Sequence, residues 1–380
     1  MRVLYLIHDT SISGAALSLF NLLEGMAGKN VEIHVAGPQP SDSYRSRLVN
    51  IGVEYHVVNP VMSIMPPLKR LKNFASFLKN YFKLLINKKR YFIELEYLIK
   101  ELSPDLIHTN VGVLHEGFKV ASKYRIPHIF HLREYQDKDF NWRFYPSKKK
   151  FVRMLRSTNV ICISEDIKNH FGLDCCQSCR TIYNGILHKN EASFCTKKEN
   201  YFMTASRISP EKDIAMTICA FSIFVQSHNN YCLRIFGDGA EIYKKELKNL
   251  VLELGVENYV VFEGYASNIP DYLERASALI VSSKNEGFGR MSAEALMKGC
   301  ILIGRNSGGT KEIMDAIPSF PFDDINECAK QMSKVVDYLR EGYDSQIRES
   351  QKIAVNLYSI EQNVEKIYGF YGDILNRFKS

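Results

Sequence analysis

Short runs of apolar residues alternate along the chain with polar segments that carry glycine or proline. These runs have the length of buried strands, and most of them are followed by a segment with helical periodicity. They lie at residues 3–8, 31–36, 53–58, 104–109, 127–132, 160–165, 201–205, 231–236, 260–262, 278–281 and 301–304. Strands that alternate with helices are typical of parallel sheets. The pattern therefore predicts the α/β class, with a parallel sheet in each half of the chain.

The most informative segment spans residues 278–314, where two short strands each lead through a glycine-bearing turn into a helix. Gly287 and Gly289 lie in the first turn, and Gly308 and Gly309 lie in the second. Glycine leaves backbone N–H groups unobstructed, and the helix dipole favours an anion at a helix N-terminus. Because both turns fall at the carboxyl edge of one sheet, we expect a phosphate-binding site there.

Two glutamates flank the first of these turns. Glu286 lies on the loop before the helix, where a carboxylate can project into a cleft, and Glu294 lies at least one turn inside the helix. Taken alone, they are explained by ordinary helix electrostatics, as a first-turn acid and a solvated helix face. In a ligand site, one acid could instead bind a sugar hydroxyl and the other a ribose.

Arg207 and Lys212 flank a turn that contains serine and proline and follows the strand at residues 201–205. As isolated residues, both would be ordinary surface charges. At the end of a strand, both cations can point into a cleft. There they could meet the growing charge of a diphosphate leaving group without a metal ion.

Neither half of the chain carries the Gly-x-Gly-x-x-Gly fingerprint of a dinucleotide-binding domain. The first loop has the single glycine Gly14. The turn after residues 231–236 has Gly237 and Gly239, but Ile242 stands at the third position. We therefore do not expect NAD as a cofactor.

The 380 residues are enough for two sizeable cores, and 46% hydrophobic with 24% charged residues is ordinary for a soluble globular protein. No stretch approaches the roughly 18 apolar residues needed to cross a bilayer. The first apolar run is too short for a signal peptide, so a cytoplasmic location is expected.

The nine cysteines are odd in number and scattered, unlike the framework of a secreted disulfide protein. Cys175, Cys176 and Cys179 are close together, near His170 and His188. Because no second Cys-x-x-Cys is present, a polar loop with incidental thiols is favoured over a zinc site.

Residues 68–92 contain eight lysines or arginines and no acid. On a helical projection, apolar residues share one arc and four lysines group on another, namely Lys69, Lys72, Lys79 and Lys83. A helix that packs its apolar arc on the first domain explains this pattern. Attraction to anionic lipid, worth about 1 kcal/mol per basic residue near the surface, explains it as well. Nucleic acid is a third alternative, but no recognised binding motif supports it.

The run Glu286-Gly287-Phe288-Gly289, followed by Glu294-Ala295, Gly299 and Gly308-Gly309-x-x-Glu312, resembles the signature of the family 4 retaining glycosyltransferases. The resemblance covers most of the chain and is strongest over residues 201–313. It implies the GT-B fold, in which two Rossmann-like domains with parallel sheets face a central cleft. It also implies a nucleotide-sugar donor, with a UDP-sugar favoured over a GDP-sugar, and no metal requirement.

For the second half of the chain, the resemblance implies individual roles. Glu286 would contact the donor sugar, and Glu294 would hold the ribose of the nucleotide. Gly287, Phe288 and Gly289 would offer backbone N–H groups to the sugar and the diphosphate.

The resemblance also implies roles for residues outside the segment 286–312. Arg207 and Lys212 match the phosphate-binding pair of the family, and Gly14 matches its glycine-rich first loop. His131 matches a contact to the donor sugar. Relatives commonly have an aspartate directly after this histidine, and this chain has Leu132-Arg133-Glu134 instead. The sequence leaves the roles of Arg133 and Glu134 open.

These observations divide the chain into four parts. Residues 1–186 are predicted to form an N-terminal Rossmann-like acceptor domain, and residues 201–358 a C-terminal Rossmann-like domain that binds the nucleotide sugar. Residues 187–200 are polar with little periodicity, as expected for a linker. By resemblance, residues 359–380 form a terminal helix that returns to the N-terminal domain.

The resulting prediction is a retaining hexosyltransferase that moves a sugar from a nucleotide-diphosphate sugar to a glycan or lipid-linked acceptor. The expected process is assembly of a bacterial surface polysaccharide, namely capsule, exopolysaccharide or O-antigen, with peripheral association on the inner face of the membrane. Two other classes stay open: a sugar-nucleotide epimerase of the same fold, and a non-catalytic membrane scaffold.

Overall fold

The computed structural model describes residues 1–11, 14–65, 74–140 and 142–379, which form two compact units. The first unit contains Met1–Gly185 together with the last helix of the chain, and the second unit is Ile186–Ser359. Each unit is built around a parallel sheet. The predicted α/β class, with one such sheet in each half, is confirmed.

The first unit alternates strands and helices along most of its length. Its strands are β1 (Arg2–Leu6), β2 (Glu32–Gly37), β3 (Glu54–Val57), β4 (Ile64–Met65), β5 (Leu106–Thr109), β6 (His128–Leu132), β7 (Arg143–Phe144), β8 (Asn159–Cys162) and β9 (Cys179–Thr181). Its helices before the second unit are α1 (Gly14–Ala27), α2 (Asp42–Asn50), α3 (Phe74–Leu102), α4 (His115–Tyr124), α5 (Asp137–Phe140), α6 (Lys148–Arg156) and α7 (Glu165–His170).

Seven of these strands form one parallel sheet in the order β3, β2, β1, β5, β6, β8, β9, and β4 pairs with β7 in a small antiparallel ribbon. The central strands are buried on both faces because helices cover both, which explains their continuous apolar sequence. One face packs against α1 and the other against α3 and α4.

The second unit continues the alternation. Its strands are β10 (Glu199–Ala205), β11 (Cys232–Phe236), β12 (Val260–Gly264), β13 (Ala276–Val281), β14 (Ile301–Arg305) and β15 (Phe320–Phe322). Its helices are α8 (Ile214–Phe224), α9 (Glu241–Glu253), α10 (Ile269–Arg275), α11 (Arg290–Met297), α12 (Gly308–Ala316), α13 (Ile325–Arg340) and α14 (Asp344–Tyr358).

The six strands of the second unit are all parallel, in the order β12, β11, β10, β13, β14, β15. Strands β10, β13 and β14 are therefore neighbours, although β10 is separated from the other two in sequence. The loops that follow these three strands leave the sheet at the same edge, which is where open α/β sheets bind ligands.

Residues 187–198, most of the predicted linker, belong to the second unit rather than forming a separate segment. The Lys198 ammonium donates to the backbone carbonyls of Glu274 and Gly299 at 2.6 and 2.7 Å. Phe194 packs against the core of this unit. These contacts hold residues 187–198 on the second unit, although their polar composition predicts no regular structure.

The last helix, α15 (Ile360–Lys379), belongs to the first unit. It packs against α1, and its apolar side chains join the core on that face of the sheet, namely Ile360, Val364, Ile367, Phe370, Tyr371 and Ile374.

Within the predicted basic segment, residues 68–73 lie outside the described residues, and with them Lys69 and Lys72. The rest of the segment is helical and belongs to α3. Among the described residues, no helix combines the length and the apolar character needed to cross a bilayer.

Candidate functional site

The carboxyl edge of the second sheet brings together three loops that carry most of the predicted site residues. The loop after β10 carries Arg207 and Lys212, the loop after β13 carries Glu286 to Gly289, and Gly308 and Gly309 follow β14. Their proximity comes from the strand order, in which β13 lies between β10 and β14.

Lys212 and Glu286 form an ion pair across two of these loops. The Nζ atom of Lys212 lies 2.5 Å from Oε1 of Glu286, and both side chains are about four-fifths buried. An ion pair that is partly shielded from water is stronger than a surface pair, so it fixes the position of both groups. A cation and a carboxylate thus stand side by side at the sheet edge.

The glycine turn before α11 depends on two positions that tolerate only glycine. Gly289 precedes the first residue of the helix with φ of 85°, in the left-handed region. A Cβ on Gly309 would lie 2.5 Å from the Cα of Phe288, which is backbone that cannot yield. The N–H of Gly309 donates to the carbonyl of Glu286 at 2.7 Å. The two glycine turns are therefore bonded to each other.

Two hydroxyl groups line the same turn. The Oγ atom of Ser292 and the Oγ1 atom of Thr310 are buried and have no hydrogen-bond partner among the described residues. Both lie within 3.3 Å of the point where a Cβ on Gly289 would stand. Buried polar groups are normally satisfied, so this pair offers hydrogen bonds to a group that enters the turn.

Glu294 lies inside α11, one turn after Gly289. Desolvation raises the pKa of its carboxyl group, while the charges of Arg290 and Lys298 oppose that rise. Phe288 is buried, and its ring meets that of Tyr358 edge to face at 5.5 Å. The aromatic contact anchors the turn that carries Glu286.

The loop that carries Lys212 is held by Asp213, which sequence reasoning did not identify. Asp213 has φ of 50°, and its carboxylate pairs with Arg305 at 2.8 Å and with Lys284 at 3.2 Å. The guanidinium of Arg305 also donates to the carbonyl of Ser282, whose hydroxyl donates to the carbonyl of Lys212. The one sequence feature that could have indicated this role of Asp213 is the position of an acid directly after Lys212.

Arg207 is not drawn into this cluster. Its side chain is 61% exposed and pairs with Glu211 at 2.7 Å. The structure therefore brings Lys212, Glu286 and the glycine turn together, and it leaves Arg207 on the surface beside them.

In the first unit, Gly14 is exposed and begins α1. His131 lies on β6, one residue before its end, and only 1% of it is exposed. Leu132 directly follows this histidine, whose polar partner on the same segment is a cation two positions further on. Arg133 donates to Nδ1 of His131 at 3.3 Å and is itself held by Asn110 and Asn184 at 3.0 and 2.7 Å.

A chain of buried hydrogen bonds determines the tautomer of His131. Arg133 can only donate, so Nδ1 of His131 must accept, and the ring proton of the neutral imidazole sits on Nε2. His108 then donates to the same Nδ1 at 3.1 Å. Tyr371 donates to His108 at 2.6 Å, and Tyr5 donates to Tyr371 at 2.8 Å.

The Nε2 atom of His131 is the open end of this chain. It is buried and has no partner among the residues that the structure describes. Burial, together with the charge of Arg133, lowers the pKa of His131 well below its ordinary value. The imidazole of His131 is therefore neutral and donates through its Nε2–H group. A hydrogen bond from this group to a ligand oxygen is stronger in such a desolvated place than in water.

The three clustered cysteines lie in different surroundings. Cys179 is buried on β9 with its sulfur 3.6 Å from that of Cys162, whereas Cys175 is exposed. This arrangement agrees with the interpretation of Cys175 and Cys176 as loop thiols.

Two protein-family models match the chain. The model described as Glycosyl transferases group 1 matches residues 188–336, and the model described as Glycosyltransferase Family 4 matches residues 12–188. Together they span residues 12–336, and they match the two units in turn. The chain belongs to the family 4, group 1 glycosyltransferases and is a transferase enzyme, as the resemblance implied. Neither the epimerase nor the scaffold alternative is retained.

Individual relatives agree with this assignment. An uncharacterized glycosyltransferase of Methanocaldococcus jannaschii is 25% identical over 310 residues, 80% of this chain and 78% of the relative. The alpha-monoglucosyldiacylglycerol synthase of Acholeplasma laidlawii is 25% identical over 323 residues, 75% of each chain. The solved structure of Anabaena HepE in complex with UDP and glucose has a TM-score of 0.76 at 19% identity, covering 98% of this chain and 99% of that one. The predicted GT-B fold is confirmed.

Proposed function

We propose that the protein is a retaining glycosyltransferase that moves a hexose from a nucleotide-diphosphate sugar to a glycan or lipid-linked acceptor. In this proposal the second unit binds the donor and the first unit binds the acceptor. The observation that carries it is the ion pair of Lys212 with Glu286 beside the glycine turn at the carboxyl edge of the second sheet.

The chemistry of the step explains why these groups belong together. When the anomeric C–O bond breaks, the electron pair leaves with the diphosphate, whose negative charge grows. Lys212 and the backbone of residues 287–289 would stabilise that charge, with Arg207 moving in from the surface as a second cation. Preorganised groups of this kind supply the largest electrostatic contribution to such reactions.

Binding of the donor would exchange the partner of Lys212. A phosphate oxygen takes the place of the Glu286 carboxylate at Nζ, which frees Glu286 to accept hydrogen bonds from the sugar hydroxyls. Arg305 and Asp213 hold the loop in place during the exchange. The hydroxyl oxygen of the acceptor then attacks the anomeric carbon from the face that the diphosphate leaves, and the hydroxyl proton passes to the departing phosphate oxygen. This step depends on positioning rather than on a covalent intermediate. No metal ion is required in this scheme.

Glu294 would hold the ribose, and a UDP-sugar is the favoured donor because HepE was solved with UDP. We further propose that Nε2 of His131 donates to an oxygen of the donor sugar, and that Gly14 keeps the start of α1 open for the substrate.

Calorimetric titration of UDP, GDP and ADP tests the donor assignment. We expect the wild-type protein to bind UDP more tightly than GDP, and Glu294→Gln to weaken UDP binding about tenfold through loss of one charged hydrogen bond. Glu246→Gln, a change of an exposed glutamate on helix α9, serves as the control. Equal affinity of Glu294→Gln and wild type would reject the ribose role.

The anomeric outcome is tested separately. Proton NMR of the product during turnover distinguishes axial from equatorial glycosides at the first time points. An α-linked donor should give an α-linked product. A β-linked initial product would show inversion and contradict the retaining mechanism.

An exposed face of α3 supports the proposal of a lipid-linked acceptor. Four apolar side chains on it fall within about 60° of one another at 100° per residue, and each is at least 39% exposed: Phe82, Ile86, Ile93 and Tyr97. Five exposed basic residues share this face, namely Lys79, Lys83, Lys89, Arg90 and Lys100. Apolar groups flanked by cations match the surface of an anionic membrane. Peripheral binding at the inner face of a bacterial membrane, during synthesis of surface polysaccharide or glycolipid, would follow.

Sedimentation with vesicles that contain phosphatidylglycerol tests this face. Replacing Lys79, Lys83 and Lys89 by alanine should weaken binding about 100-fold, from about 1 kcal/mol per charge. The control replaces three exposed lysines of the second unit: Lys330, Lys334 and Lys352. Equal sedimentation of the two triple variants would refute the assignment.

A further inference from the structure

Among the residues that the structure describes, one group of His, Cys, Asp or Glu side chains places three potential metal ligands within 4.8 Å of one another. The group consists of His34, Glu54 and His56. His34 lies on β2 directly opposite Glu54 on β3, and His56 follows Glu54 by two positions. Because side chains alternate along a strand, all three project from the same face of the sheet.

The separations of the donor atoms fit a tetrahedral ion. The Nδ1 atom of His34 lies 3.0 Å from Nε2 of His56 and 3.4 Å from Oε2 of Glu54, and Nε2 of His56 lies 3.7 Å from Oε1 of Glu54. Metal–ligand bonds of about 2.0–2.1 Å at tetrahedral angles place neighbouring ligands about 3.3–3.4 Å apart. The two nitrogens are near this separation, and rotation of the exposed Glu54 carboxylate can bring one of its oxygens into the third position.

A second carboxylate orients the first ligand. Glu32 accepts from Nε2 of His34 at 3.0 Å and is itself held by Arg2 at 2.8 Å. The proton of His34 is thereby placed on Nε2, so the lone pair of Nδ1 points toward His56 and Glu54. Carboxylate–histidine pairs of this kind accompany metal-ligating histidines in proteins.

The surroundings allow a cation to enter. Glu54 is 65% exposed on the edge strand of the sheet, whereas His34 is 5% and His56 16% exposed. Glu101 adds negative charge near His56. Two imidazoles with one carboxylate suit zinc and similar transition metals, whereas magnesium and calcium prefer oxygen ligands.

We propose that His34, Glu54 and His56 bind a divalent transition metal ion of the zinc type, with Glu32 orienting His34 and a water molecule completing the coordination. None of the residues assigned to the donor takes part, so the site goes beyond the proposed function. Its role is to clip the edge strand β3 to β2, which stabilises the first unit.

Titration of chelator-treated protein with zinc chloride tests the proposal. The measurements use a Cys175→Ser, Cys176→Ser background so that loop thiols do not contribute. We expect one zinc ion per chain, a melting temperature that rises with zinc, and no response to magnesium. Cobalt should give the visible absorption of a four-coordinate ion without a thiolate charge-transfer band.

Variants assign the ligands. His56→Ala should lower zinc affinity at least 100-fold, and Glu32→Gln should lower it 10- to 100-fold while all three ligands remain. Glu54→Gln removes an exposed ligand with little risk to folding, and His228→Gln in the second unit is the control. Absence of saturable zinc binding, or wild-type zinc affinity in His56→Ala and in Glu54→Gln, would overturn the proposal. Chelation should leave glycosyl transfer intact. A protein that does not bind zinc is therefore distinguished from a protein that does not transfer a sugar.

Discussion

Acidification should destabilise the first unit, because the folded unit buries several histidines in their neutral form. His115 stacks on Phe151 with ring centroids 4.8 Å apart, and His128 lies beside Thr109 and Thr158. Burial lowers the pKa of each imidazole to about 3. Above pH 6.5 both the folded and the unfolded chain hold these groups neutral. Below it the unfolded chain takes up protons that the folded chain does not, so stability falls until about pH 3.

The size of the effect follows from linkage. Each pH unit below the unfolded pKa of about 6.5 costs about 1.4 kcal/mol per buried histidine. At pH 5 this amounts to about 2 kcal/mol for His115 and about 2 kcal/mol for His128. Their sum of about 4 kcal/mol is a large fraction of the 5–15 kcal/mol that stabilises a typical domain. Burial shifts the pKa values of His108 and His131 in the same direction.

The single tryptophan makes the assay specific. Trp142 lies in the first unit, so its fluorescence in urea reports on that unit alone. The free energy of unfolding should fall by at least about 4 kcal/mol between pH 7.5 and pH 5.0. The variant His115→Gln replaces one titrating ring by a neutral side chain of similar volume. Its free energy of unfolding should fall by about 2 kcal/mol less than that of the wild-type protein over the same change in pH. An unchanged urea midpoint in the wild-type protein, or an identical pH dependence in the variant, would refute the reasoning.

Three substitutions probe other parts of the account. Lys88→Met leaves the buried carboxylate of Glu116 with the half-exposed Lys119 as its cation and should destabilise the first unit by about 1–3 kcal/mol, measured by fluorescence in urea. Gly309→Ala drives a methyl group into the backbone of Phe288 and should cost about 1–3 kcal/mol and weaken UDP binding, which calorimetry would show. Arg305→Met leaves Asp213 paired with the exposed Lys284 and should lower donor affinity about tenfold, because the loop that carries Lys212 is held less firmly; calorimetry would show this loss. A variant that keeps the wild-type stability or donor affinity would show that the contact it removes does not have the role proposed for it.

The sequence is informative where a local pattern determines the structure. Apolar runs bounded by glycine mark the strands of both sheets, and the residues from Glu286 to Gly309 are typical of a turn that binds an anion. Strand order then brings Lys212 to that turn, which the alternation of strands and helices predicts only as a general property of α/β sheets.

The contacts that position these residues join distant parts of the chain, and no local pattern reveals them. Asp213 and Arg305 are 92 positions apart and meet because β10 and β14 flank β13. His108 and Tyr371 are 263 positions apart and meet because α15 returns to the first unit. The presence of Leu132 and Arg133, and of no aspartate, directly after His131 is visible in the sequence. Its consequence, a fixed tautomer, depends on these distant partners.

The rate of acceptor-dependent nucleotide release by Lys212→Met tests the central claim most directly. Removing one group that stabilises the departing diphosphate should lower this rate about 100- to 1,000-fold. The melting temperature, measured in parallel, separates this loss from unfolding. Lys311→Met, which breaks a surface ion pair with Asp315, should release nucleotide at the wild-type rate. A wild-type rate in Lys212→Met would contradict the assignment of this edge of the sheet as the donor site.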